Sequence, residues 1–341
     1  MTRLVLVHGR DLDGHDPDAL EEQWLGALRA GLAAAGSSYR PSDGDASFVY
    51  YGDALEHLVR GGTGAAPPVT VDALGVDALG VDALSVDALS VDALGTDVLP
   101  GLPGDELRFV LAVARDVLTS AGADDDVSPP PASPEGAAGD ALVAALVAAL
   151  AWVDRSMPGV SGAVLLSLAR DVYAYLHDDA VRRVLDDGLA SALDDGPAVV
   201  VAHSLGSVVA YSALSTALSA GLSAGTTRAG GDVPLLLTLG SPLGIRAVRD
   251  AVRSRVPLAF PAGVGRWVNV RDPGDLLALT DLTPETFPLP AGSRPVENLR
   301  VDNRAPWNHA AAARLDDGTW AGYLAVPSVA AVVGEGVGTA T

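Results

Sequence analysis

Val199-Val200-Val201-Ala202-His203-Ser204-Leu205-Gly206-Ser207 is the stretch that decides how this chain is read. Three valines and an alanine in one apolar run are the pattern of a short strand buried on both faces, as parallel strands are. The run breaks at His203-Ser204, and residues 205–220 then follow a helical pattern. At such a strand-to-helix turn a serine has its hydroxyl lifted above the sheet. Small residues two before and two after it, here Ala202 and Gly206, let strand and helix approach closely. The Leu205 amide stands at a helix N-terminus, where it can stabilise developing negative charge. A serine in this place can also do no more than cap a buried helix. The wholly apolar strand before it and the amphipathic helix after it favour a nucleophile.

Outward from this turn the chain alternates strands and helices. Strands are expected at 235–239 and 267–270, a helix at 243–252, and a weaker strand at 296–301 before His309 and a helix-like 310–315. Near the start, Leu4-Val5-Leu6-Val7 reads as a buried strand stopped by His8-Gly9, followed by a helix at 18–35 and a strand at 47–51. Strands alternating with helices imply a mainly parallel sheet with helices on both faces. Between these two regions the chain is different. A five-residue unit, VDALG, VDALG, VDALS, VDALS, VDALG, fills 71–95 with a period that fits neither helix nor strand, and an acidic, proline-rich linker occupies 123–139. The repeat reads as an expanded surface insertion. Helices are expected at 105–120, 140–153, 160–176 and 179–193. The expected organisation is a core of 1–52 and 178–341 with a long helical, partly low-complexity insertion at 53–177, from which a cap can be built.

The strand, the His-Ser-x-Gly turn and the following helix together resemble the α/β-hydrolase superfamily, in particular its lipase- and esterase-like serine hydrolases. The resemblance covers the first ~50 residues and about 179–315, and leaves the insertion unmatched. It implies an α/β-hydrolase-type fold and a chain order of nucleophile, acid, histidine. Ser204 is then the nucleophile. His309 is the base, being the one histidine after it. His203 and His8 are expected to pack and to support the neighbouring loop.

His8-Gly9-Arg10 after the first strand matches the family's oxyanion turn, which gives the Arg10 backbone amide, with that of Leu205, the oxyanion hole. Asp272 and Asp275 both follow the strand at 267–270, where open α/β sheets place their sites. The family pattern puts the acid at the second aspartate, hence Asp275, although Leu276-Leu277 depart from the usual Pro-Val; Asp272 is the alternative acid. The implied reaction is hydrolysis of a carboxylic ester or related acyl bond through an acyl-enzyme, on a small-molecule or lipid-like acyl substrate. Lipase, carboxylesterase, thioesterase, peptidase and acyltransferase activities all fit these residues. A catalytically silent scaffold that binds a ligand or partner is the alternative, and the presence of every required residue type argues against it.

Composition bounds the rest. A chain of 341 residues, 49% hydrophobic, can bury a large core. It has no cysteine, which excludes disulfides, thiolate ligands and cysteine nucleophiles. The formal net charge of -21 repels phosphate backbones, and no basic patch offsets it, so a nucleic-acid partner is not expected. No cofactor motif and no metal-ligand spacing occurs. The longest apolar stretch, 141–153, is too short for an integral membrane segment and stops at Asp154-Arg155. The opening residues lack a secretory signal pattern, which implies a cytoplasmic protein.

Overall fold

Strand β4 (Ala198–His203) is buried along its whole length, as its apolar run requires, and lies in the middle of a seven-stranded sheet. The computed structural model describes residues 2–9, 16–41, 44, 46–59, 66–67, 69–71, 102–122, 137–156, 161–194, 196–224 and 233–338. Arg10, the repeat after Val71 and the linker up to residue 136 lie outside the described residues. Around β4 stand β1 (Arg3–Val7), β2 (Ala46–Tyr50), β3 (Thr70–Val71), β5 (Val233–Leu239), β6 (Val264–Arg271) and β7 (Glu297–Arg300), in the order β3-β2-β1-β4-β5-β6-β7. Within this sheet, among the described residues, only β3 runs antiparallel to its neighbour, β2. The register carries Leu6 onto Val201, Val201 onto Leu237 and Leu237 onto Val268.

The alternation of side chains divides these strands between two cores. Leu4, Leu6, Val199, Val201, Leu235 and Leu237 face α1 (Pro17–Ala34) and α9 (Pro327–Gly338). Val5, Val7, Val200 and Ala202 face the opposite layer. That layer holds α3 (Gly104–Ser120), α4 (Ala137–Ser156), α5 (Gly162–His177), α6 (Asp179–Leu193), α7 (Leu205–Ala224) and α8 (Arg246–Arg255). Leu111, Leu150, Leu166 and Leu185, all from the 53–177 segment or just after it, join one continuous apolar cluster with these strands. The result is a mainly parallel α/β sheet flanked by helices on both faces.

The strand expected at 47–51 ends by Tyr51 and hands over directly to a helix, α2 (Gly52–Val59). Two local expectations need correction. The helix expected at 243–252 is divided: a 3-10 turn, Pro242–Gly244, comes first, and Ile245 is extended before α8 begins. Residues 310–315 are not helical. Strand β8 (Ala313–Arg314) pairs with β9 (Trp320–Ala321) as a hairpin. A six-residue stretch is too short to repay helix nucleation. The turn at Asp316-Asp317-Gly318, with Gly318 at φ 80°, brings the Thr319 carbonyl onto the Leu315 amide at 2.9 Å.

The order of the strands also creates a place for a site. The chain runs from β1 out to β2, then crosses back to β4 on the other side of β1. At such a reversal the connections leave in opposite directions, and a crevice opens at the carboxyl ends of the two strands. His8-Gly9 and Ser204 lie at those two ends.

Candidate active site

The sheet ladder continues one step past its strands at this edge. The Ser204 amide donates to the Leu239 carbonyl and the Gly240 amide to the Val270 carbonyl, each at 3.0 Å. Ser204 sits in the left-handed region at φ 52°, which non-glycine residues adopt at a cost of roughly 1–3 kcal/mol and which tends to persist at functional turns. Gly206 explains why the helix can start so close to the sheet. A Cβ there would stand 2.3 Å from the His8 carbonyl oxygen and 2.6 Å from that of Val7. Leu205 is the first residue of α7, so its amide has no acceptor within the helix. Ser207 Oγ donates to the Ser204 carbonyl at 2.5 Å and shares a 2.7 Å bond with Ser241 Oγ, which braces the turn from below.

His309, on the loop after β7, places Nε2 2.8 Å from Ser204 Oγ. Its Nδ1 lies 2.8 Å from Asp275 Oδ2 and 3.0 Å from Oδ1. A carboxylate can only accept, so Nδ1 carries the ring proton and Nε2 is left to accept from the serine hydroxyl. Asp275 is 3% exposed and therefore depends on protein donors. Besides the imidazole it accepts from the Leu277 amide at 2.9 Å and from the Tyr323 hydroxyl at 2.6 Å. Gly240, at φ 54°, faces this pair: a Cβ there would stand 3.0 Å from both Asp275 Oδ2 and His309 Nδ1.

The structure thus brings Ser204, His309 and Asp275 together. Asp272 is used differently. Its Oδ1 accepts from the Gly274 amide at 2.7 Å and its Oδ2 from the Asn303 amide at 2.9 Å, so its carboxylate closes the turn and ties it to the loop after β7. Arg10 lies outside the described residues. Its neighbour Gly9 packs against Ser204, where a Cβ would stand 2.7 Å from Ser204 Cβ. His8 supports this loop: its Nε2 accepts from the Tyr51 amide at 3.0 Å, its ring stacks on Tyr51 at 4.1 Å, and its carbonyl accepts from the Tyr51 hydroxyl.

Comparison with protein-family models, with curated proteins and with solved structures finds no match for this chain. Among the described residues no group of three or more His, Asp or Glu stands so as to hold a metal ion, and no helix is long and apolar enough to cross a membrane.

Two neighbours of the site were not assigned to it by sequence. His203 does not reach Ser204 Oγ; its Nε2 is 2.6 Å from the His309 carbonyl oxygen. Burial, with His309 adding to it, pushes its pKa well below the ordinary histidine value. The ring is therefore neutral, and since a carbonyl only accepts, its proton is on Nε2. Tyr323 follows β9 and reaches back 48 positions in sequence to Asp275. Burial, and after it the Asp275 charge, holds its phenol far above the usual tyrosine range, so it remains a donor. Neither contact has a sequence signature, because each depends on a loop from a distant part of the chain folding over the strand ends.

Proposed function

We propose that this protein is a serine hydrolase of the α/β-hydrolase type that cleaves a carboxylic ester or related acyl bond through an acyl-enzyme. The observation that carries the reading is the unbroken hydrogen-bonded line from Ser204 Oγ through His309 to Asp275, set on a strained strand-to-helix turn. A nucleophilic serine needs a base to take its proton and a carboxylate to orient that base and stabilise its cation.

In this reading Ser204 Oγ attacks the acyl carbon while its proton passes to His309 Nε2. The tetrahedral oxyanion is met by the Leu205 amide and, as the resemblance implies, by that of Arg10. Collapse expels the leaving group, which takes the proton from Nε2, and leaves the acyl on Ser204. Water then gives its proton to Nε2 and attacks the acyl carbon, and on collapse the acyl–Oγ bond breaks, Nε2 returns the proton to Ser204 Oγ, and the acid leaves with the serine restored. Residues 1–52 and 178–341 act as the catalytic core, and 53–177 is an insertion into it. The acyl substrate is a small molecule or lipid-like.

The test is labelling with a fluorophosphonate probe together with hydrolysis of a p-nitrophenyl ester. Wild type should label and turn over, and Ser204→Ala should do neither while keeping its melting transition. Undiminished labelling of Ser204→Ala would refute the proposal.

A further inference from the structure

The Tyr323 hydroxyl occupies an unusual position. It donates to Asp275 Oδ2 at 2.6 Å and accepts from the Asp272 amide at 2.9 Å, so one side chain engages both aspartates of the 272–275 turn. Its ring is fully buried in the core around α1 and α9, and its backbone is pinned as well, the Tyr323 amide donating to the Ala310 carbonyl at 3.0 Å. Ala310 is the residue after His309. The same tyrosine is therefore tied to the acid through its hydroxyl and to the base loop through its amide.

Geometry decides what this contact can do. The Leu277 amide takes Asp275 Oδ1, and the Tyr323 hydroxyl takes Oδ2, the oxygen that lies closer to His309 Nδ1. With one donor on each oxygen the carboxylate cannot rotate about its Cβ–Cγ bond without breaking a hydrogen bond. Its plane is held where both oxygens reach Nδ1.

Resting on the hydrolase reading above, we propose that Tyr323 is a positioning residue for the reaction: it fixes the Asp275 carboxylate, and through it the orientation of the His309 ring toward Ser204. It touches neither the nucleophile nor the acyl group.

The experiment is Tyr323→Phe, alone and combined with Asp275→Asn, assayed on a p-nitrophenyl ester with circular dichroism and melting as fold controls. The single variant should lose about ten- to a hundred-fold in kcat, the scale of one hydrogen bond to a charged group, with little change in KM. In the Asp275→Asn background the same change should cost almost nothing further, because Tyr323 acts through that carboxylate. Wild-type kcat in the single variant, or a full additional loss in the double variant, would overturn the proposal.

Should Tyr323→Phe not fold, the contact is tested in the native tyrosine. With 13Cζ-labelled tyrosine, the Tyr323 resonance should move on Asp275→Asn, well beyond the other six tyrosines, and an unmoved resonance would overturn the proposal. These outcomes are separable from failure of the hydrolase reading, which is decided by Ser204→Ala alone.

Discussion

At the scale of single residues, the two aspartates of the 272–275 turn have the same side chain and different work. Both fold back on nearby amides, Asp272 on Gly274 and Asp275 on Leu277, but only Asp275 also meets His309. In the proposed mechanism Asp275 orients the base, and its replacement by Asn should cost roughly 10⁴-fold in turnover, the scale known for the serine-protease triad. Asp272→Asn removes one of the two acceptors that hold the Gly274 and Asn303 amides and should cost about 1–3 kcal/mol of stability with turnover largely kept. Ester hydrolysis by the two variants, compared at equal folded fraction, should rank Asp275→Asn far below Asp272→Asn. The opposite ranking would transfer the acid's role to Asp272.

Among the elements, the contact between α5 and α6 carries a titratable defect. Tyr175, fully buried on α5, donates to Asp186 Oδ1 on α6 at 2.7 Å. Burial outweighs this bond and pushes the Asp186 carboxyl up from 3.8 to about 6. A raised carboxyl pKa means that the fold prefers the protonated form. The penalty is therefore absent below the unfolded value near 3.8, grows as pH rises toward 6, and is complete above it. At about 1.4 kcal/mol per pKa unit it amounts to at most about 3 kcal/mol. Asp186→Asn keeps an acceptor for Tyr175 and removes the charge. It should raise the melting temperature at pH 8 and leave it nearly unchanged at pH 4; equal melting of the two proteins at pH 8 would show that Asp186 carries no such penalty.

For the whole molecule the dominant electrostatic fact is 43 acidic residues against 22 basic ones, all of them arginine. Exposed pairs such as Arg266–Glu297 at 2.7 Å and Arg255–Asp179 at 3.0 Å offset part of this, but pairs of that kind contribute roughly 0–1 kcal/mol each. Net self-repulsion should prevail in the native state. Salt at about 0.1 M shortens the screening length to about 10 Å, so the melting temperature should rise between about 10 mM and about 0.3 M sodium chloride. A fall over that range would mean that specific ion pairs, not the net charge, set the electrostatic contribution to stability.

What the sequence by itself determined was whatever depends on residues adjacent in the chain. An unbroken Val-Val-Val-Ala run, β-branched and apolar on both faces, fits the interior of a sheet. A strand that stops at a serine, two residues before a glycine, defines the turn at Ser204, and the spacing of apolar residues announced most of the helices. Tertiary structure decided the rest, because the deciding contacts join distant segments. Helix α9 has three glycines and several β-branched residues and would not form from propensity alone. It exists because Val329, Ala330 and Val333 are buried against the sheet and α1. The stretch 310–315 carries a helix-like composition but becomes a turn and a strand, since the Ala310 and Ala311 carbonyls accept from the Tyr323 and Leu324 amides and are withdrawn from any helix. Asp272 and Asp275 could not be separated by composition. Their different roles come from which carboxylate faces His309 and Tyr323, and those partners arrive from 34 and 48 positions away, at distances only the closed fold can set.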